Sequence, residues 1–266
     1  MKQRIITGVL AGAVYLLFLF LGSVSFALFA AVLAIISFTE LAAMKKLKRT
    51  SFAVIAGAII TGLIVLENLA TLLFSASFGT VLIKLITLLL LFLLVATVFT
   101  KNKFQYEQAA YVLFSVIYIG FSFYLLVHLR MQSLQFVLFV QILIWATDSG
   151  AYFIGKQWGR HKLAPHISPN KTIEGSAGAL LSAVLVAIIF QLIVQAPLFS
   201  SWGALLAISI LISVAGQLGD LAESAVKRYF MVKDSGAILP GHGGLFDRFD
   251  SLIFVLPVLF LLGVIN

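Results

Sequence analysis

Apolar runs of 17–20 residues recur along the whole of this chain. As a helix rising ~1.5 Å per residue, each can cross the ~30 Å hydrocarbon core of a bilayer. A chain that threads lipid must satisfy its backbone internally, as helices or as a closed barrel. Barrel strands alternate apolar and polar residues, and these runs are continuous. The expected fold is an all-α polytopic membrane protein. Composition agrees. Of 266 residues, 62% are hydrophobic and 11% charged, and the mean hydropathy is +1.12; a soluble domain is ~45–50% apolar.

The runs predict about nine spans, at roughly 5–21, 24–43, 52–66, 80–99, 109–127, 134–154, 175–195, 203–222 and 251–265. Glu67 and Asn68 cut the third short, although LATLLFSASF behind them could extend it. The start, MKQRIITGVLAGAVYLLFLF, has the basic-then-apolar form of a secretion signal. Its apolar run exceeds the ~7–15 residues of a signal core, so it reads as an uncleaved first span. With nine spans and the N-terminus inside, the C-terminus is outside. Of the 18 Lys and Arg, only Arg130 and Lys84 then fall on the outer side, leaving sixteen within. Such a bias orients membrane proteins, and removing one early span would destroy it. The implied location is the cell membrane, multi-pass. Residues 1–100 form N-terminal transmembrane helices without a catalytic motif. Residues 101–266 carry every candidate catalytic loop, on the cytoplasmic face.

Several chemistries are excluded. No Cys is present, which rules out disulfides, thiol catalysis and thiolate metal sites. The net charge is +8, but no basic stripe with interleaved aromatics marks a nucleic-acid partner. No G-x-S-x-G or G-x-x-x-x-G-K-[ST] motif occurs. His161, His166 and His242 lack zinc-type spacing.

The acids concentrate instead. All five Asp, with Glu174 and Glu223, fall at the inner ends of spans or in inner loops, in three segments. Carboxylates at membrane depth are costly and usually paired or functional. The first segment, 145–176, holds Asp148, a basic glycine-containing loop and SPNKTIEG, in which Thr172 can cap the next helix and Glu174 suits its first turn. A basic loop entering a helix N-terminus suits phosphate; it equally suits lipid headgroups. In the second, GQLGDLAESAVKR, a continued helix puts Asp220, Glu223, Ser224, Lys227 and Arg228 on one face. That face could hold a divalent cation beside a phosphate, or merely form helix salt bridges such as Glu223–Lys227. The third, KDSGAILPGHGGLFDRFDS at 233–251, sets Asp247 and Asp250 at the start of the last span. An ordinary glycine turn with Asp at a helix N-terminus explains Asp250, but not the crowding of Lys233, Asp234, His242 and Arg248.

Residues 224–250, SAVKRYFMVKDSGAILPGHGGLFDRFD, resemble the signature of the phosphatidate cytidylyltransferases, also called CDP-diglyceride synthases. Ser224, Lys227, Arg228, Lys233, Asp234, Pro240, His242, Gly243, Gly244, Asp247, Arg248 and Asp250 match its fixed positions. SPNKTIEG and GDLAES upstream are also similar to the bacterial members. The resemblance implies that phosphatidic acid and CTP become CDP-diacylglycerol and pyrophosphate at the bilayer, with Mg2+ required and a second cation completing a two-ion centre. Asp220 and Asp247 match the family's cation ligands, with Glu223, Asp250 and Ser224 secondary. Lys227, Arg228, Lys233 and Arg248 would contact phosphates. Asp234 and His242 lie within the signature, and Gly243 and Gly244 leave room for substrate. Asn170, Lys171 and Asp148 would complete the substrate site. A homodimer stays open. The rival readings are a CTP-dependent polyprenol or phytol kinase and, in a different class, a transporter. A transporter would place its site near the midplane with broken helices and inverted repeats, and no repeat is visible here.

Overall fold

The computed structural model describes residues 2–74, 78–194 and 196–265. The expected extension of the third span reaches into 75–77 and the seventh span ends at 195, both outside the described residues. Among the described residues the regular elements are helices and one small hairpin, joined by turns and loops. The helices are α1 (Lys2–Leu21), α2 (Ser23–Met44), α3 (Phe52–Phe74), α4 (Phe78–Phe99), α5 (Tyr106–Gln132), α6 (Leu134–Trp158), α7 (Ile173–Val194), α8 (Trp202–Tyr229) and α9 (Phe246–Leu261); strands β1 (Lys162–Ala164) and β2 (Ser168–Thr172) lie between α6 and α7.

Seven of these helices, α2 to α8, have the length and apolarity to cross a membrane. They make this a multi-pass membrane protein. The other two are shorter: the apolar part of α1 is Ile6–Leu21, and α9 has 16 residues with Pro257 inside, about 24 Å at 1.5 Å per residue. Helix ends follow local chemistry. The hydroxyls of Ser133 and Ser201 accept from the backbone N–H of Phe136 and Ala204 at 3.2 and 3.1 Å, capping α6 and α8. Past the ends of α2 and α4, Lys46, Lys101 and Asn102 take left-handed conformations.

The chain forms two compact units, Met1–Gln132 with Val232–Arg248, and Ser133–Met231 with Phe249–Asn266. In the first, α2, α3 and α5 pack on one another around Phe26, Phe38, Ile64 and Phe123, all nearly inaccessible. Helix α4 packs on α3 and α5, but few residues of its apolar stretch are buried; Leu88, Leu91 and Val98 stay exposed, a surface suited to acyl chains. Helix α3 does not stop at Glu67, as the sequence suggests. It runs on because α5 satisfies Asn68: its Nδ2 donates to the Tyr124 carbonyl at 3.0 Å, and its Oδ1 meets His128 Nδ1 at 3.1 Å. A paired polar group no longer forces the chain out of a helix.

In the second unit α6, α7 and α8 pack together. The α6–α7 connection, expected as a loop, is the antiparallel β1–β2 hairpin, with Lys162 opposite Thr172 and an irregularity before Ala164 pairs with Ser168. Its strands are short and polar, so no apolar alternation announces them.

Candidate active site

The expected face of α8 forms. Lys227 Nζ lies 2.6 Å from Glu223 Oε2, and Ser224 Oγ donates to Asp220 Oδ1 at a long 3.5 Å. Asp250, from α9, joins them: Asp220, Glu223 and Asp250 each offer an oxygen, all within 4.8 Å of one another. Gly219 permits this approach. A Cβ there would stand 2.7 Å from Phe254 Cβ and 3.0 Å from the Asp250 carbonyl, so any larger residue would push α9 outward. Three carboxylates this close repel. Lys227 offsets one, and Lys171 reaches Asp220 Oδ2 at 2.6 Å.

Lys171 arrives on β2, which the hairpin holds in place. Thr172 Oγ1 accepts from Gly175 N at 3.1 Å, capping α7 as expected. Glu174 ties down the other side, accepting from Arg160 N at 3.0 Å and pairing with His161 Nδ1 at 2.6 Å. A cavity of about 480 Å3 opens beside the hairpin, lined in part by Asp148, Tyr152, Lys156, Asn170, Lys171 and Asp220. Its size falls within the ~300–1,000 Å3 of small-molecule sites. Lys156 Nζ sits 5.7 Å from the Tyr152 ring centre. Arg228 is exposed and donates from Nε to the Ile167 carbonyl at 3.2 Å.

The glycine loop lies in the other unit. Asp247 Oδ2 accepts from the backbone of Ser235 at 2.9 Å and of Gly244 at 2.8 Å. Gly243 adopts φ +80°, where a side chain is strained. Lys233, Asp234 and Arg248 are exposed. His242 packs on α1, where a Cβ at Gly8 would stand 3.1 Å from its Nε2. The structure thus gathers Asp220, Glu223 and Asp250 with Lys171 and Lys227, and in the other unit Asp247 Oδ2 accepts from the backbone of its own loop.

One residue escaped the sequence reading. Glu40, in α2, is 3% exposed and accepts hydrogen bonds from Ser235, Leu245 and Phe246. The available signal was a lone carboxylate inside an apolar span.

The three-carboxylate cluster fits a hard divalent cation, which takes oxygen ligands. Oxygens on opposite sides of Mg2+ stand about 4.2 Å apart, twice the ~2.1 Å bond, so a small contraction of the cluster would suffice. A family model described as the cytidylyltransferase family matches residues 2–265. A curated relative in Bacillus subtilis, named phosphatidate cytidylyltransferase, is 43% identical over 265 residues, 98% of this chain and 97% of the relative. Proteins of the same name in Staphylococcus epidermidis and Staphylococcus aureus are 42% and 41% identical, each covering 97% of both chains. The match spans α1 to α9, the carboxylate cluster and the glycine loop alike, and the protein belongs to the cytidylyltransferase family.

Proposed function

We propose that the protein is a phosphatidate cytidylyltransferase, converting phosphatidic acid and CTP to CDP-diacylglycerol and pyrophosphate. Asp220 carries the reading, because it belongs both to the carboxylate cluster and to the wall of the 480 Å3 cavity. A cation site opening into a lysine-lined cavity suits a triphosphate. The relatives that bear this name over nearly their whole length support the same reaction.

A phosphatidate oxygen attacks the α-phosphorus of CTP. A new P–O bond forms, the bridging P–O bond between the α- and β-phosphates breaks, and its electron pair leaves on pyrophosphate. The second ionisation of a phosphate monoester lies near pH 6, so the attacking oxygen is already charged and no protein base is required. The task is to bring two anions together. Asp220, Glu223 and Asp250 would hold Mg2+, which when bound offsets charge on the transferring and leaving groups. Asp247 is assigned to a second cation, the role that the family resemblance gives it. Lys171 and Lys227, now paired with carboxylates, would be available to phosphate oxygens were the acids to hold a cation. Arg228, Lys233 and Arg248 add positive charge, Asn170 and Asp148 contact the nucleotide, and Ser224 supports Asp220. Asp234, His242, Gly243 and Gly244 shape the loop for close phosphate approach.

We place all nine helices across the cell membrane, N-terminus inside and C-terminus outside. Residues 101–266 then carry the site on the cytoplasmic face, where CTP is, and the lipid substrate stays in the bilayer. Size measurement in detergent decides between a monomer and a homodimer. The activity test is incubation with phosphatidic acid, Mg2+ and CTP labelled at the α- or γ-phosphate. Label from the α-position in the lipid product is expected. Label passing only from the γ-position would instead establish a lipid kinase, and nucleotide-independent solute flux in liposomes would favour a transporter.

A further inference from the structure

We propose that Glu40 is a positioning residue of the glycine loop: its carboxylate fixes the backbone of residues 235–246 and, through Ser235 and Gly244, the direction of Asp247. The inference deepens the proposed reaction, on which its activity readouts rest. Glu40 stands on α2, in the region that carries no motif.

Its two oxygens are fully employed. Oε1 accepts from Leu245 N at 2.9 Å, and Oε2 accepts from Phe246 N at 2.9 Å and from Ser235 Oγ at 3.1 Å. Leu245 N and Phe246 N are among the N-terminal donors of α9 that no helical carbonyl can reach, and a helix N-terminus favours an anion. Charge-assisted bonds of this kind are stronger and shorter than neutral ones. The loop is built around the carboxylate. A Cβ at Gly244 would come within 2.6 Å of Glu40 Oε2, and one at Gly236 within 2.8 Å of its carboxyl carbon.

The same loop residues serve the second acid. Ser235 gives its hydroxyl to Glu40 and its backbone N–H to Asp247 Oδ2. Gly244 gives its N–H to Asp247 Oδ2 and, lacking a Cβ, leaves the space that Glu40 Oε2 occupies. A shift of Glu40 therefore moves the Ser235 and Gly244 donors that orient Asp247. A residue that merely supported the fold would change stability alone. A positioning residue changes turnover and loop order together while the affinity for CTP is retained.

The experiment compares the wild type with Glu40→Gln, Ser235→Ala and, as control, Ser37→Ala, a buried position one turn earlier on α2. Glu40→Gln keeps the shape but turns an amide N–H2 toward backbone donors. Expected is a kcat for CDP-lipid formation about 30-fold lower, within the ~100-fold that a small misplacement can cost, with KM for CTP within about threefold. Hydrogen exchange of peptides covering 233–249, measured without nucleotide or metal, should quicken about tenfold, and exchange across 202–216 should not change. Ser235→Ala should lower kcat about fourfold with a smaller exchange increase, and Ser37→Ala should leave both within about twofold of wild type. Wild-type kcat and loop exchange in Glu40→Gln would overturn the proposal, as would a loss confined to KM. If Glu40→Gln does not fold, Ser235→Ala decides, and an unchanged kcat and exchange there overturns it. A wild type that forms no CDP-lipid refutes the reaction instead, while the exchange measurement still judges Glu40.

Discussion

Two sets of carboxylates in this molecule are satisfied in opposite ways. In one unit Glu40 and Asp247 accept from backbone N–H groups and a hydroxyl. In the other, Asp220 and Glu223 are paired with Lys171 and Lys227 at 2.6 Å. A backbone donor cannot leave without unmaking the loop. An ammonium on a flexible four-carbon stem can swing to another anion. The first set holds chain whatever else it binds, and the partners of the second are mobile enough to be exchanged.

The largest expected effect lies in the second set. Asp220→Asn should reduce turnover about 10³-fold, a loss of several kcal/mol of charge stabilisation, while the unfolding temperature in detergent stays within about 2 °C of wild type. A large fall in that temperature would break the contrast. Next comes the first set, where Gly244→Ala drives a methyl group into Glu40 and the Gly236 backbone. It should lower both turnover, about 100-fold, and the unfolding temperature, by about 5 °C. Gly216→Ala is its counterpart in α8, where the nearest atoms to a new Cβ are 3.8 Å away, and it should leave both nearly unchanged. A smaller effect should follow Lys171→Met. Loss of one phosphate contact should raise KM for CTP about tenfold, or ~1.4 kcal/mol, and steady-state kinetics would show it. The mildest test exploits the absence of Cys. His166→Cys should retain turnover within about twofold, because surface changes cost little. Membrane-impermeant thiol reagents should label it from the cytoplasmic side alone, and labelling from outside would reverse the proposed orientation.

The helices were legible in the sequence because lipid leaves the backbone no alternative to internal hydrogen bonding. The i, i+3 and i+7 spacing of Asp220, Glu223 and Lys227 likewise puts them on one face of a helix. Three features were not legible, each for a physical reason. The β1–β2 hairpin is set by Thr172, Glu174 and backbone pairing rather than by an apolar pattern. Helix α3 continues past Asn68 because its partners sit on α5, 56 and 60 residues away. Glu40 looked isolated because every donor it meets lies 195 or more residues further along. Local spacing reports contacts within a helix and is silent about such distant pairs.

That last separation has a consequence for how the protein is made. Glu40 emerges from the ribosome with α2, and Leu245, 205 residues later, with α9. At ~5–20 residues per second, translation of the intervening chain takes about 10–40 s. Throughout that time an acid near one end of an early helix must lean on water or headgroups rather than on its final donors. The glycine loop cannot close until nearly the whole chain has been synthesised. A nascent chain stalled before α9 would thus be inserted and largely helical yet catalytically silent, so that completion of synthesis itself acts as the licensing step for the enzyme.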